Sequence, residues 1–266
     1  MTIADLTVTG GRGKDGRAEP VSEITLRMGD IVSIVGPTGC GKTTLINDIE
    51  LFANRNTPSG RRVLINGESA EESCSSDPAR NPIALISQHT NFLSDLPVED
   101  FLSIHATVRA HEGGEAIRET LGFANKLTGE PIIRTSAMTE LSGGQTRALL
   151  IADAVVIGNS PIVLLDEIEN AGIHRTRALE LLKEYRKIFV FVTHDPRIAL
   201  LSDYRVVMRN GAMQEVILTG KEEGRVAAEL RKMDDLILDF RNRIRLGERL
   251  TENVLEEQMK ACGYLT

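Results

Sequence analysis

Short apolar runs separated by turn residues mark most of the chain up to residue 217. Runs of strand length occur at residues 3–8, 23–27, 30–35, 63–65, 83–87, 162–166 and 188–193. Three of these, IALIS, IVLLD and IFVFVT, are almost continuously apolar, which is typical of strands buried on both faces of a parallel sheet. Residues 42–52 and 97 to about 127 show helical patterns instead, and Asn210-Gly211 indicates a hairpin. Strands interleaved with helices predict an α/β fold with a mostly parallel sheet.

Near the C-terminus, apolar residues recur at spacings of four and three in a strongly charged helix. They are Val226, Leu230, Met233, Ile237, Phe240 and Ile244. The pattern covers fewer than the three to four heptads that identify a coiled coil. We favour an amphipathic helix that packs on its own domain. A dimerisation or partner-docking arm is the alternative.

Charge and cysteine content narrow the classes of function. The 266 residues carry a net charge of -7, and this overall negative charge argues against nucleic acid as a partner. Cys40, Cys74 and Cys262 are far apart, which predicts a reducing compartment and neither a zinc site nor a disulfide framework. Signal-peptide character and apolar runs of about 18 residues are both absent. We therefore expect a cytoplasmic protein that reaches the inner face of a membrane only through a partner.

The strongest motif is GPTGCGKT, which begins at Gly36 and matches G-x-x-x-x-G-K-[ST]. Its glycines let successive backbone N–H groups point at a phosphate, and the helix that follows adds its positive end. We expect Lys42 to reach the β and γ phosphates of a nucleoside triphosphate and the Thr43 hydroxyl to ligate Mg²⁺. The predicted nucleotide-binding residues of this loop are Gly36, Pro37, Thr38, Gly39, Cys40, Gly41, Lys42, Thr43 and Thr44.

A pair of acids follows the apolar run IVLL. We expect Asp166 to bind Mg²⁺ and Glu167 to polarise the water that attacks the γ-phosphate. We also expect this strand to adjoin the strand that carries the glycine loop. A guanine-reading Asn-Lys-x-Asp is missing, because Asn125-Lys126 is followed by Leu-Thr.

The stretch LSGGQ begins at Leu141, between the glycine-rich phosphate loop and the acidic pair. With these three motifs in this order, the sequence resembles the ATP-binding cassette (ABC) ATPases. The resemblance implies a P-loop NTPase cassette with a RecA-like, mostly parallel sheet, an N-terminal antiparallel β part and a helical signature subdomain. It covers residues 1–217, with the helical subdomain at about 90–150 and a C-terminal helical extension at 218–266. It further implies that Ser142, Gly143, Gly144 and Gln145 contact ATP held by another copy, in a head-to-tail homodimer or pseudo-symmetric pair of cassettes.

The same resemblance assigns further roles. Gln88 matches the glutamine that touches Mg²⁺ and the attacking water. His194 matches the histidine that contacts the γ-phosphate, and Glu167 is the expected general base.

The chain also departs from the family in two places. No aromatic residue or histidine precedes Phe52, where the family usually stacks adenine on an aromatic ring. Two alternatives follow: Arg12 or Arg17 stacks its guanidinium on the base, or the base is held loosely, and we expect weak base discrimination. After Glu167 the usual Pro-Thr-Ser-Ala-Leu-Asp is replaced, its aspartate is missing, and we expect Asn170 or His174 to substitute.

Two classes of cassette remain open. In the first, the chain is the ATPase subunit of a transporter and docks on separate membrane-spanning permease subunits. Only 100 residues separate Lys42 from Ser142, which leaves no room for long coiled coils, and NFLSDLPVEDFLSI resembles the stretch that receives a permease helix. In the second, it is a non-transport ATPase that remodels a soluble protein, metalloenzyme or nucleic-acid complex. We favour the first.

Overall fold

A computed structural model describes residues 3–70, 81–87, 90, 92, 94–109, 113–167 and 175–265. The chain divides into two compact units, Met1–Leu218 and Thr219–Thr266.

The described residues of the first unit form two sheets. In chain order the strands are β1 (Asp5–Thr9), β2 (Glu23–Arg27), β3 (Ile31–Val35), β4 (Arg62–Ile65), β5 (Glu68–Ser69), β6 (Ile83–Ile86), β7 (Ile162–Asp166), β8 (Ile188–Val192), β9 (Tyr204–Arg209) and β10 (Ala212–Leu218). The smaller sheet has the order β2-β1-β4-β5 and is antiparallel. The larger sheet has the order β10-β9-β3-β8-β7-β6. Its strands are parallel except for the β9–β10 hairpin, so the predicted α/β architecture with an N-terminal antiparallel part is confirmed.

The helices of the first unit are α1 (Lys42–Glu50), α2 (Val98–Val108), α3 (Gly113–Leu127), α4 (Gly143–Val155), α5 (Arg175–Lys183) and α6 (Pro196–Leu201). A short 3-10 helix, Met138–Glu140, precedes α4. The second unit contains α7 (Lys221–Arg245) and α8 (Glu252–Ala261). Within the described ranges, no helix combines the length and the apolar character that a membrane span requires.

The buried strands serve two cores because successive side chains point to opposite faces of the sheet. In β8, Phe189 and Phe191 pack with α2, α3 and α4, whereas Val190 and Val192 pack with α1 and the smaller sheet. This double burial explains why β7 and β8 read as unbroken apolar runs. It also fixes the carboxyl ends of β3, β8 and β7 at one edge of the sheet.

Candidate functional site

The glycine-rich loop after β3 has a backbone that its glycines alone permit. Gly36, Gly39 and Gly41 have φ values of 149°, 75° and 101°. A Cβ on Gly36 would lie 2.4 Å from the Met208 carbonyl oxygen, and one on Gly41 would lie 2.9 Å from the Gly211 Cα. The chain itself therefore requires glycine at both positions.

Lys42 crosses this loop from the first turn of α1. Its side chain is buried, and its Nζ donates to the carbonyl oxygens of Gly36 at 3.0 Å and Pro37 at 3.2 Å. Among the described residues, no side chain caps the N-terminus of α1, because the N-cap is Gly41. An ammonium group and uncapped helical N–H groups thus share one concave loop, an arrangement that suits a phosphate chain.

The remaining residues of the loop line its rim. Pro37, Thr38 and Gly39 are exposed, and so are the side chains of Thr43 and Thr44 in the first turn of α1. Cys40 instead points into the core and is buried. Its predicted contact with nucleotide is therefore restricted to its backbone.

Two segments distant in sequence brace the loop. The Gly211 N–H of the β9–β10 turn donates to the Cys40 carbonyl at 2.8 Å. Lys14, from the loop between β1 and β2, donates through Nζ to the Gly39 carbonyl at 2.8 Å and through its backbone to Asn210. The basic residue of this loop that contacts the phosphate loop is therefore Lys14. The contacts of the two arginines predicted to stack on adenine are local. Sequence reasoning missed the Lys14 contact because an exposed lysine in a glycine-rich loop carries no periodic signal.

A buried charge cluster lies behind this brace. Arg61 is fully buried, pairs with Glu19 and Asp48, and donates to the Gly211 carbonyl at 2.7 Å. Glu19 also accepts from the backbone N–H groups of Gly11 and Met213, each at 2.8 Å. One guanidinium thereby ties the β1–β2 loop, α1 and the β9–β10 turn together. The pattern of apolar residues does not reveal such a cluster, and sequence reasoning missed it too.

Arg12 and Arg17 make local contacts. Arg12 donates to the Gly16 carbonyl at 3.0 Å, and Arg17 lies 3.8 Å from Asp15 with a side chain that is 88% exposed. Both remain on the loop that Lys14 attaches to the phosphate loop. Their role in stacking on adenine stays a prediction.

The acidic strand is placed differently from the expectation. The prediction that β7 adjoins the strand carrying the glycine loop is wrong, because β8 lies between β3 and β7. Periodicity identifies a buried parallel strand but does not determine its neighbours. As a result, His194, which follows β8, comes from the strand between the phosphate loop and the two acids.

Glu167 and His194 face each other at this edge. Asp166 ends β7 in register with Val192, and the Glu167 N–H donates to the Val192 carbonyl at 3.0 Å. Glu167 has a φ of 50°, a left-handed conformation that is uncommon outside glycine. Its Oε1 lies 3.8 Å from His194 Nε2, and both side chains are partly exposed. Both groups are therefore accessible to solvent.

The signature LSGGQ starts α4 with a complete capping box. The Ser142 hydroxyl accepts from the Gln145 N–H at 3.3 Å, and the Gln145 side chain accepts from the Ser142 N–H at 2.9 Å. The Gln145 amide also donates to the Pro131 carbonyl at 3.1 Å. Ser142 and Gly143 are exposed and Gly144 is partly so. The first turn of α4 is thus held in place by its own side chains and presents its outer surface to solvent.

Some predicted site residues lie outside the described residues. These are Gln88 and the segment 168–174, which includes Asn170 and His174. Elsewhere in the described chain, no cluster of three or more His, Cys, Asp or Glu side chains is arranged to hold a metal ion.

Comparison with known proteins identifies the family. Residues 21–170 match the model of the family described as ABC transporter. The chain is 48% identical over 260 residues to an uncharacterised ABC transporter ATP-binding protein of Methanocaldococcus jannaschii, covering 98% of this chain and 100% of that one. It is 31% identical over 211 residues to a spermidine/putrescine import ATP-binding protein of Bacteroides fragilis, covering 76% of this chain and 44% of that protein. The chain thus spans less than half the length of the second relative.

Solved structures agree on the fold. One is cbiO1 of Clostridium perfringens, described as part of an ABC transporter complex, with a TM-score of 0.63, 22% identity and coverage of 86% of this chain and 94% of that one. Another is a dimeric ATP-binding cassette bound to ADP and phosphate, with the same TM-score and identity and coverage of 81% and 99%. The matched family model and the nearly full-length relative show that the chain belongs to the ABC transporter family, whose ATP-binding proteins are ATPases.

Proposed function

We propose that the chain hydrolyses Mg²⁺-bound ATP in a head-to-tail pair, in which each copy holds one nucleotide on its phosphate loop and covers the other copy's nucleotide with its signature. Gly36 to Thr44 hold the triphosphate, and Lys42 exchanges its two carbonyl partners for phosphate oxygens. Because the phosphate oxygens are charged, they are the stronger acceptors.

One observation carries the proposal of a pair. A Cβ added to Gly41 would meet backbone at 2.9 Å, whereas one added to Gly143 would meet only Arg147 Nη1, at 3.9 Å. Within the described chain, the fold therefore needs glycine at 41 but has space for a side chain at 143. An exposed, pre-capped helix start that leaves room for an incoming group suits a phosphate supplied by another copy.

The residues that would hold Mg²⁺ are few, as this ion prefers. It keeps several waters and is usually bound through one or two carboxylates besides the substrate's phosphates. Thr43 offers a hydroxyl and Asp166 a carboxylate, and Gln88 is the third proposed ligand. When bound, the ion neutralises charge on the phosphates and favours attack on them.

The geometry of the two strand ends supports the roles that we propose for Glu167 and His194. Glu167 is the general base, because its carboxylate is partly exposed beside His194 and able to accept a proton from water. His194 holds the γ-phosphate and restrains the Glu167 carboxylate. The left-handed backbone at Glu167 fixes the direction in which this side chain leaves β7.

Mixing inactive variants tests the pair directly. Lys42→Ala removes one copy's phosphate loop, and Gly143→Asp places a negative charge where the other copy's phosphate would dock. Each variant alone is expected to lose ATPase activity. In a mixed pair, the intact phosphate loop of one copy meets the intact signature of the other, so activity returns.

The matched control is a mixture of Lys42→Ala with Glu167→Gln. These two residues serve the same nucleotide in the same copy, so one site lacks its lysine, the other lacks its base, and no activity returns. Restoration in the control, or none in the test mixture, contradicts the head-to-tail arrangement.

We also propose a membrane-spanning partner, which would hold the chain at the membrane. Both relatives described above carry transporter names. In addition, α2 leaves Ile104, the last residue of the stretch predicted to receive a permease helix, 55% exposed, and Val108 one turn further on 65% exposed. Tagged Glu167→Gln chain with ATP and Mg²⁺ should recover a membrane protein from detergent-solubilised cells.

That recovery should be lost with Ile104→Glu/Val108→Glu and kept with Leu51→Glu, which alters another exposed apolar residue. Recovery of soluble partners only would favour the remodelling ATPase instead.

A further inference from the structure

The second unit, Thr219–Thr266, has almost no core of its own. Among its described residues only Ala227 is buried. Eight of the fifteen exposed large apolar side chains of the described chain belong to these 48 residues. Helices of this length gain most of their stability from packing an apolar face, so this unit needs a surface to pack against.

Four of these eight exposed apolar side chains lie on one line along α7. We call this line the α7 seam, and its members are Val226, Leu230, Met233, Ile237, Phe240 and Ile244. Four of the six are 45% to 60% exposed, and the other two, Leu230 and Phe240, are partly exposed. The seam therefore remains open to a partner.

The spacing of the apolar residues in the α7 seam is the same whether it is read from the N-terminal or the C-terminal end. Its spacings are four, three, four, three and four, centred on Asp235. If a second α7 lies antiparallel, Val226 faces Ile244, Leu230 faces Phe240, and Met233 faces Ile237, each pair occurring twice. Every apolar residue of the seam then meets another one, which is the condition for knobs-into-holes packing.

The charges beside the seam favour the same orientation. In an antiparallel pair the flanking Glu229 lies opposite Arg243 of the second copy, twice, and the cost is one pair of Asp234 carboxylates at the two-fold axis. Within its own chain Glu229 also pairs with Lys232 at 2.7 Å. Arg243 likewise pairs with Asp239 at 2.7 Å, so the contacts with the second copy add to surface pairs that already exist. A parallel pair would instead place Glu229 beside Asp234 of the second copy twice, with like charges. Two attractions against one repulsion thus distinguish the antiparallel pair from a parallel pair with two repulsions.

We propose that the α7 seam is a docking surface for the α7 seam of a second copy of this chain, in an antiparallel two-fold arrangement. This contact needs no nucleotide, so it joins two copies independently of the phosphate loops. With fewer than three heptads it is weak alone, and it acts by raising the effective concentration of one copy near the other.

Cysteine cross-linking of the full-length chain without nucleotide tests the orientation. Val226→Cys and Ile244→Cys are made separately, in a Cys74→Ser/Cys262→Ser background that keeps the buried Cys40, and carry tags of different size. Under mild oxidation the mixture should yield the mixed disulfide dimer, and neither variant alone should cross-link. Cross-linking of Val226→Cys with itself would overturn the antiparallel arrangement. The absence of any cross-link would overturn docking of a second copy.

Sedimentation provides the matched measurement. Met233→Glu/Ile237→Glu places two carboxylates in the seam, whereas Ala228→Glu/Asn242→Glu adds the same charge on the opposite side of α7. The seam variant should weaken nucleotide-free self-association by about tenfold or more, and the control should not. Equal self-association in both would overturn the proposal. Circular dichroism and ATP binding verify that both variants remain folded. The measurement is independent of the mixing experiment with Lys42→Ala and Gly143→Asp, so a failure of that experiment would not change the conclusion about the α7 seam.

Discussion

The helices α1 and α4 both begin in glycine-rich sequence, yet their first turns are stabilised by different means. The first turn of α1 has a glycine N-cap, a buried lysine and braces from residues 14 and 211. The first turn of α4 has a serine cap, a reciprocal glutamine bond and no lysine in its motif. The first turn of α1 thus carries a charge and is held by residues from other segments, whereas the first turn of α4 is neutral and is held by its own side chains. The first suits a ligand that the chain binds alone, and the second suits one delivered by a partner.

The largest expected effect concerns the support behind α1. Arg61→Met leaves Glu19 and Asp48 buried without their cation, so we expect the free energy of unfolding to fall by about 3–5 kcal/mol. Urea denaturation measures this change. The neighbouring Arg62→Met, which loses one bond to Ser69 at 2.8 Å, is the control and should cost less than about 1 kcal/mol. If both variants lost the same free energy of unfolding, the charge cluster around Arg61 would not be what supports the phosphate loop.

The charge of α1 is the next difference. Lys42→Ala should weaken ATP binding by about 2–5 kcal/mol, because the phosphates lose a buried cation. Titration calorimetry of the isolated chain measures it. Gly143→Asp should leave the affinity of the same isolated chain unchanged, since its phosphate would belong to the other copy. A loss of ATP affinity on Gly143→Asp would erase the contrast between the two helix starts.

The glycines of the two starts should differ in stability. Gly41→Ala should destabilise the fold by about 1–3 kcal/mol, because its φ is 101° and its Cβ meets the Gly211 backbone. Gly143→Ala has space and should change the free energy of unfolding by less than about 0.5 kcal/mol. Thermal unfolding of the two variants side by side gives the comparison, and a destabilised Gly143→Ala would assign that glycine to the chain's own fold.

The smallest effect concerns the cap of α4. Ser142→Ala should cost about 1 kcal/mol of stability, because the Gln145 N–H loses its acceptor. Ser142→Asp restores an acceptor at the start of the helix and should recover most of that loss. If both variants behave as wild type in denaturant titration, the capping box does not hold the first turn.

Much of this fold follows from local pattern. The apolar runs predicted β7 and β8 to within one residue, and the turn at Asn210-Gly211 joins β9 to β10 as expected. The position of β8 between β3 and β7 was not predictable from the apolar pattern. Parallel strands of similar composition have similar patterns, and these do not indicate which strands pair. The braces on the phosphate loop were missed for a related reason. Lys14 and Arg61 are single charged residues whose partners lie far away in sequence, so the periodicity of apolar residues does not reveal their contacts.

The bond from Arg61 to the Gly211 carbonyl spans 150 residues of chain. The phosphate motif ends at residue 43, but its brace arrives only with the β9–β10 turn. During synthesis, a nascent chain that stops short of this turn carries the whole motif without the support that shapes it. Competence to bind nucleotide is then a property that the chain gains late, when the cassette is nearly complete. We expect ATP to stabilise the complete cassette more than a fragment that ends before residue 211, because a ligand stabilises only the form that binds it.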